Sequence, residues 1–151
     1  MPTHAEKRTM PYSAKQMYDL VADIGAYDQF LPWISAVRIR SQENMPDGQI
    51  VEADLVVSFK VFRERFGSRV TLQPDLRHIE VEYLEGPFKY LKNHWKFVDQ
   101  EDGCEIDFFV DFEFKSRALQ AVIGLVFNEA MQRIVRAFEE RARTLYGPGN
   151  T

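Results

Sequence analysis

Cysteine is nearly absent from this chain: Cys104 stands alone among 151 residues. No internal disulfide can form, and unpaired thiols belong mostly to reducing compartments, so a cytoplasmic location is expected. Long apolar runs are missing too. The longest, Ala121 to Phe127, falls far short of the roughly 20 residues that span a bilayer, and the opening MPTHAEKRTMPYSAKQ has no apolar core of the kind a secretory signal requires. At most, peripheral contact with the inner membrane is expected. Charge of one sign is scarce as well. The 19 basic residues are outnumbered by 23 acidic ones, for a net charge of -4, which argues against DNA or another partner held through phosphate charge.

Signatures of catalysis are equally thin. No Gly-rich phosphate loop precedes a helix and no serine occupies a GxSxG context. His78, Glu80 and Glu82 share a strand face, but alternate strand residues lie roughly 7 Å apart, too far for all three to converge on one ion. No catalytic residue, no metal and no required cofactor is assigned.

What the chain does contain is patterned apolar sequence, rich in Phe, which occurs twelve times. One domain spanning 1–151 is expected from the length. Ser13 can cap a helix whose apolar side is Met17, Leu20, Val21 and Ile24, until Gly25 stops it. A second short helix or turn covers Ala26 to Leu31. Beyond Pro32 the period becomes two: Val51 to Phe59, Ile79 to Tyr83 and Ile106 to Phe114 alternate apolar and polar residues. Breakers at Met45-Pro46-Asp47-Gly48, Gln73-Pro74-Asp75, Glu85-Gly86-Pro87 and 99–103 suit consecutive antiparallel hairpins. A long helix then runs from about Ser116 to Tyr146, with Ala130, Ile134, Ala137, Phe138 and Leu145 as the stripe of its second half. The expected fold is α+β: a curved antiparallel sheet around the C-terminal helix, with two short helices before it.

The first half of that helix is anomalous. In ALQAVIGLVF, Ala118 to Phe127, Gln120 is the only polar residue, whereas a helix resting on one sheet needs a single apolar stripe. Its second surface calls for a ligand, a membrane or a partner protein. Alternation sends Val57, Phe59, Phe66, Val70, Leu91, Trp95, Phe97, Phe108, Val110 and Phe112 inward against Val122, Ile123, Val126 and Phe127 of the helix. By parity Glu64, Ser68 and Asn93 interrupt this dry face, and buried polar groups of this kind need partners. A bulge at Gly67 is the competing account for Glu64, while Asn93 is the best polar handle. Gly124 either lets the helix bend, lets a ligand approach, or packs closely on a strand. On the outer face Arg63, Arg65 and Arg69 are read as a mixed-charge ladder, with Arg69 between Asp54 and Glu80, Lys92 between Glu82 and Asp111, and Lys96 facing Asp107.

Several motifs carry a resemblance. Pro11-Tyr12-Ser13-Ala14 with Met17-Tyr18-Asp19-Leu20-Val21, Tyr27-x-x-Phe30-Leu31-Pro32-Trp33, Phe66-x-Ser68-Arg69-Val70, Leu84-x-Gly86-Pro87-Phe88-x-x-Leu91, Trp95-x-Phe97 and Val135-x-Ala137-Phe138-x-x-Arg141-Ala142 resemble the coenzyme Q-binding proteins of the START-like superfamily. That superfamily also holds the bacterial ribosome association toxin and the polyketide cyclase/dehydrase domains. Ile34 departs from the pattern, where many relatives have Cys. The resemblance implies a helix-grip fold of six or seven strands with a hydrophobic tunnel, and a polyisoprenoid quinone such as ubiquinone as bound ligand in support of respiratory electron transport. Trp33 is added to the alternation set as a tunnel residue, and Phe30, Leu31 and Trp33 as membrane contacts. Two other functions stay open: a regulator that binds the large ribosomal subunit, and a cyclase or dehydratase using Glu64 as acid or base.

Overall fold

Ser13 starts the first helix as its sequence context predicts. In the computed structural model, which describes residues 3–59 and 62–147 without the side chains of Phe59 and Phe62, the Ser13 hydroxyl accepts from the Gln16 amide at 3.1 Å. The Gln16 side chain accepts from the Ser13 amide at 3.0 Å in return. This reciprocal cap opens α1, Ala14–Ala22, whose Met17, Leu20 and Val21 are buried. A 3-10 helix, Ile24–Gln29, follows, so Ile24 belongs to this second element and not to the first helix.

Strands β2 (Ile34–Met45), β3 (Gly48–Phe59), β4 (Phe62–Gln73), β5 (His78–Glu85), β6 (Phe88–Gln100) and β7 (Gly103–Phe114) form an antiparallel meander. The sequence pattern misses one further strand. β1, Thr3–Met10, pairs antiparallel with β7 and makes the sheet seven-stranded, in the order β1-β7-β6-β5-β4-β3-β2. β1 carries no apolar alternation because its half-buried side chains are charged: Glu6 pairs with Arg8 at 3.4 Å, and Arg8 reaches Glu139 at 2.8 Å. Its end is fixed by Gly103, where a Cβ would stand 1.9 Å from the Met10 carbonyl oxygen.

The long helix α2, Arg117–Tyr146, crosses the concave face. Ser116 caps it through the Leu119 amide at 3.2 Å. Its second half is anchored: Ala130, Met131, Phe138 and Ala142 are buried, the Tyr146 hydroxyl donates to the Gln16 carbonyl at 2.9 Å, and the Tyr12 hydroxyl donates to the Gly147 carbonyl at 2.6 Å. Leu145 does not join this stripe. It is 49% exposed, because Ala142 and Tyr146 face inward and turn it outward.

On the convex face Lys92 lies between Glu82 and Asp111, and Lys96 faces Asp107, as expected. Arg69 is two residues away from its expected place, paired with Glu52 at 2.9 Å and Glu82 at 3.7 Å. Asp54 is buried, not part of that ladder: Arg40 donates to it at 2.8 Å and also to Glu85, with Arg65 and Arg38 at 3.7 and 3.9 Å. Gly67 makes room for this network, since a Cβ there would come within 2.7 Å of the Arg40 guanidinium.

Candidate functional site

Between sheet and helix lies a partly open cavity of about 270 Å³. From the sheet come Phe66, Ser68, Val70, Leu91, Asn93, Trp95, Phe108, Val110 and Phe112, the inward set that alternation selects. Ile79, Val81 and Phe88 of the sheet also line it, as do Tyr27 and Leu31 from the N-terminal segment and Met131, Ile134 and Phe138 from α2. None of these is among the expected tunnel residues, although Ile79 and Val81 lie on the expected apolar face of their strand and Ile134 and Phe138 on the expected stripe of the long helix. The helical spacing of Met131, Ile134 and Phe138 carries a signal for them, while Tyr27 and Leu31 sit in a turn with no period to follow. Among the described residues that line it, none carries a charged side chain.

A second hollow of about 290 Å³ adjoins the first under the opening half of α2. Trp33, Val57 and Phe114 line both, and Leu119, Val122, Ile123, Val126 and Ala130 complete its apolar wall. Glu129 and Arg133, paired at 3.5 Å, stand at its edge. Val122, Ile123 and Val126 thus face this groove and not the inner cavity. Phe127 lines neither; its ring packs on Phe112 at 5.7 Å and His4 at 6.3 Å and closes the side toward β1.

Two further residues of the inward set do not line the cavity. Phe97 is buried behind Trp95, stacked on it at 6.1 Å and edge-on to Tyr18 at 6.0 Å, because the helix α1 covers that end of the sheet before the cavity begins. Glu64 pairs with Val57 in register, but it lies past the covered part of the strand and is exposed. The register shift at Gly67 falls between β4 and β5 and leaves the β3–β4 pairing intact. Phe59 lies outside the described side chains.

Two neutral polar groups meet the guest space. Ser68 is 2% exposed and lines the cavity, and no described residue hydrogen-bonds its hydroxyl. The Asn93 amide donates to the Phe109 carbonyl at 2.8 Å, which fixes its orientation and leaves one N–H and the oxygen available. Ser68 pairs with Tyr83 and Asn93 with Val81, so the two stand two strands and two residues apart, about 11 Å by strand spacing. The Tyr27 hydroxyl is already committed to the Val21 carbonyl, and burial raises its pKa far above the usual phenol value. Burial also pushes the Cys104 thiol up to about 11, which makes it a poor nucleophile at neutral pH.

Trp33 stands between the two hollows in a left-handed conformation, φ 67°. A bulky residue with positive φ is strained by roughly 1–3 kcal/mol, a strain that clusters at functional segments. Its carbonyl accepts from the Ser58 amide at 2.7 Å, which ties the segment to β3. Phe30, expected as a membrane contact, is half-buried against Tyr27 and Phe138, with the Arg141 guanidinium 5.1 Å above its ring. Leu31 turns into the cavity. Among the described residues no helix is long and apolar enough to cross a membrane.

The energetics of the hollow favour an occupant. Closed and dry, about 270 Å³ at ~24 cal/mol per Å³ would cost about 6 kcal/mol, an upper bound for this partly open hollow and comparable with the lower end of domain stabilities. Water gains little from a wall so nearly apolar. Together the two hollows fall within the roughly 300–1,000 Å³ typical of ligand sites.

A seven-stranded antiparallel sheet gripping a long C-terminal helix around such a hollow is the START-like, helix-grip architecture. A START superfamily protein of Mycobacterium smegmatis superposes with a TM-score of 0.79, covering 95% of this chain and 98% of its own at 20% identity. Residues 10–139 match the model of the polyketide cyclase / dehydrase and lipid transport family, and the chain belongs to that family. Among individual relatives, the ribosome association toxin RatA of Rickettsia prowazekii is 39% identical over 90% of this chain and 92% of its own length. The mitochondrial coenzyme Q-binding protein COQ10 homolog B of Xenopus laevis is 32% identical over 95% of this chain and 59% of its own.

Proposed function

We propose that this protein binds an apolar small molecule with a polar ring, a polyisoprenoid quinone such as ubiquinone, and holds it without chemical change in support of respiratory electron transport. The observation that carries this reading is the pairing of a near-apolar hollow with two neutral polar groups, Ser68 and Asn93, on its wall. Their separation of about 11 Å suits a para-quinone with a hydrogen bond at each carbonyl. Ser68 and the second Asn93 N–H serve the oxidised ring as donors, and the same two side chains can accept from the hydroquinone. The tail then follows the groove past Trp33 beneath α2. Similarity to a coenzyme Q-binding protein supports the reading, and the exposed position of Glu64 weakens the cyclase alternative that relied on it.

Organic extraction of the purified protein followed by mass spectrometry tests it. A co-purifying quinone at near-stoichiometric yield is expected; repeated extraction of no quinone or other lipid, together with no binding of added ubiquinone, overturns it. A second reading rests on the relative with 39% identity, which is a ribosome association toxin: this chain associates with ribosomes in the cytoplasm. Cosedimentation with ribosomal particles that added quinone neither requires nor alters would favour that function.

A further inference from the structure

The net charge of -4 conceals an uneven distribution over the convex face of the sheet. On β5–β7 that face is balanced, with Lys92 between Glu82 and Asp111 and Lys96 opposite Asp107. On β2–β4, toward the β3–β4 turn, it is not. Arg38 opposite Asp54, Arg65 opposite Val56 and Arg63 opposite Ser58 project there by strand parity, and Arg40 joins them at the register shift in β2. The acids among these four arginines are Asp54 and Glu85, while Glu64, opposite Val57, stands on the groove side.

How the cluster is held decides what it can do. Arg40 takes one oxygen of the buried Asp54 at 2.8 Å and reaches Glu85 as well. The other oxygen, Oδ2, has no hydrogen bond from any described residue; it faces Arg65 at 3.7 Å and Arg38 at 3.9 Å. One buried carboxylate thus draws two guanidinium groups together across β3 without engaging their N–H donors. Arg38, Arg63 and Arg65 make no hydrogen bond among the described residues. All three are exposed, the side chains of Arg38 and Arg65 by 75% and 63%. Beside them the Ser35 and Ser58 hydroxyls, 2.9 Å apart, are groups of the kind that also contacts phosphate.

Planar guanidinium forks with free donors match the oxygens of phosphate two at a time. Several of them on an open sheet surface suit a chain of phosphates, whereas a single small anion needs a pocket around it. A bilayer fits poorly: Met45, at the far turn, is the one exposed large apolar side chain of β2–β4 among the described residues, and an interfacial site needs apolar side chains to insert. A protein interface lacks its apolar centre here for the same reason. We infer that the convex face of β2–β4 is a docking site for the phosphate backbone of RNA, with Arg38, Arg63 and Arg65 at the phosphates and Asp54 and Arg40 as the support that positions them. That the nucleic acid is RNA rests on the ribosome-association reading; the phosphate site does not, and neither depends on a guest in the hollow. Acids elsewhere on the chain keep the contact weak and sensitive to salt.

Fluorescence anisotropy of a labelled oligouridine tests the inference, with cosedimentation on large ribosomal subunits as a second measurement and a water-soluble short-chain ubiquinone analogue reporting the hollow separately. Three phosphate contacts give a log–log salt slope of about -2, so wild-type affinity is expected to fall roughly 20-fold between about 50 and 200 mM salt. The triple variant Arg38→Gln/Arg63→Gln/Arg65→Gln, on side chains exposed enough for folding to survive, is expected to bind oligouridine at least tenfold more weakly and with a flattened salt slope, while its analogue affinity stays unchanged. Lys92→Gln/Lys96→Gln removes cations from the balanced part of the same face and should bind as the wild type does. A wild type that ignores oligouridine at low salt, or a triple variant equal to it, overturns the docking site. So does displacement of oligouridine by polyglutamate as readily as by unlabelled RNA, which would assign the face to an acidic protein. Cosedimentation that the triple variant retains in full overturns the site and leaves the ribosome reading standing; oligouridine binding lost in the triple variant, with no cosedimentation of the wild type, does the reverse.

Discussion

The two halves of α2 belong to one unbroken helix yet live in different surroundings. From Ala130 onward it is seated: Phe138 is enclosed by Trp95, Tyr27 and Phe30 at 5.1–5.8 Å, and Ala142 is completely buried. Before Ala130 it stands over a hollow. Among the described residues its contacts there include the Ser116 cap, the Gln120 side chain accepting from the Phe114 amide at 2.8 Å, Phe127 on Phe112 and His4, and the partly buried Leu119 and Ile123. Helix length alone therefore says little about attachment. What the contrast teaches is that the seated half supplies the stability and leaves the other half free to border a guest.

The largest test of that contrast is Phe138→Ala, expected to cost about 3–5 kcal/mol in denaturant unfolding through the cavity it leaves. A loss below 1 kcal/mol would mean the second half is not the anchor. Asp54→Asn serves as an off-helix reference. Arg40, and the neighbouring cations after it, hold the Asp54 carboxyl below its ordinary value, so its contribution is present above the unfolded-state value of about 3.9 and fades as pH falls through the lower folded one. The variant should be about 1–3 kcal/mol less stable at neutral pH and should lose part of the acid-induced decline in urea melts, with no change in guest affinity.

Tyr146→Phe removes the bond to Gln16 and should cost about 1 kcal/mol, with hydrogen exchange rising in the last turns of α2 and not in its first. Smallest and opposite in sign is Gly124→Ala. A Cβ there meets nothing within 4 Å, which rules out close packing on a strand as the reason for this glycine. Alanine should stabilise by roughly 0.5–1 kcal/mol and, if the first half must bend to admit a guest, slow quinone uptake measured by tryptophan fluorescence. Unchanged uptake would show that bending is not needed.

Much of this molecule was legible because its covered strands obey a period of two. β7 reads as strict alternation, from Cys104 through Phe108 and Phe112 to Phe114, and the wall of the hollow follows from it. β1 was illegible because its inward residues answer to charge on Glu139 and not to oil. The Arg69 ladder came out displaced by two residues on both sides: the β3–β4 register places Arg69 opposite Glu52, and the turn at Pro74–Leu76, with Arg77 in the left-handed region, sets the β4–β5 register that places it opposite Glu82. A slip of two preserves the face, so its mixed-charge character survived. The anomaly at Ala118–Phe127 was visible from composition. That it faces a separate groove and water, with Trp33 between groove and cavity, depends on where α2 leaves the sheet, which local periodicity does not encode.

A beam held at both ends yields most along its unsupported span. α2 is clamped beyond Ala130 and tied again at its start, where it leaves β7: the Lys115 amide donates to the Pro87 carbonyl at 2.8 Å and the Gln120 side chain accepts from the Phe114 amide. Any give in the wall above the groove is therefore confined to the stretch between, around Val122 and Val126, and the sheet beneath sets a fixed floor for it.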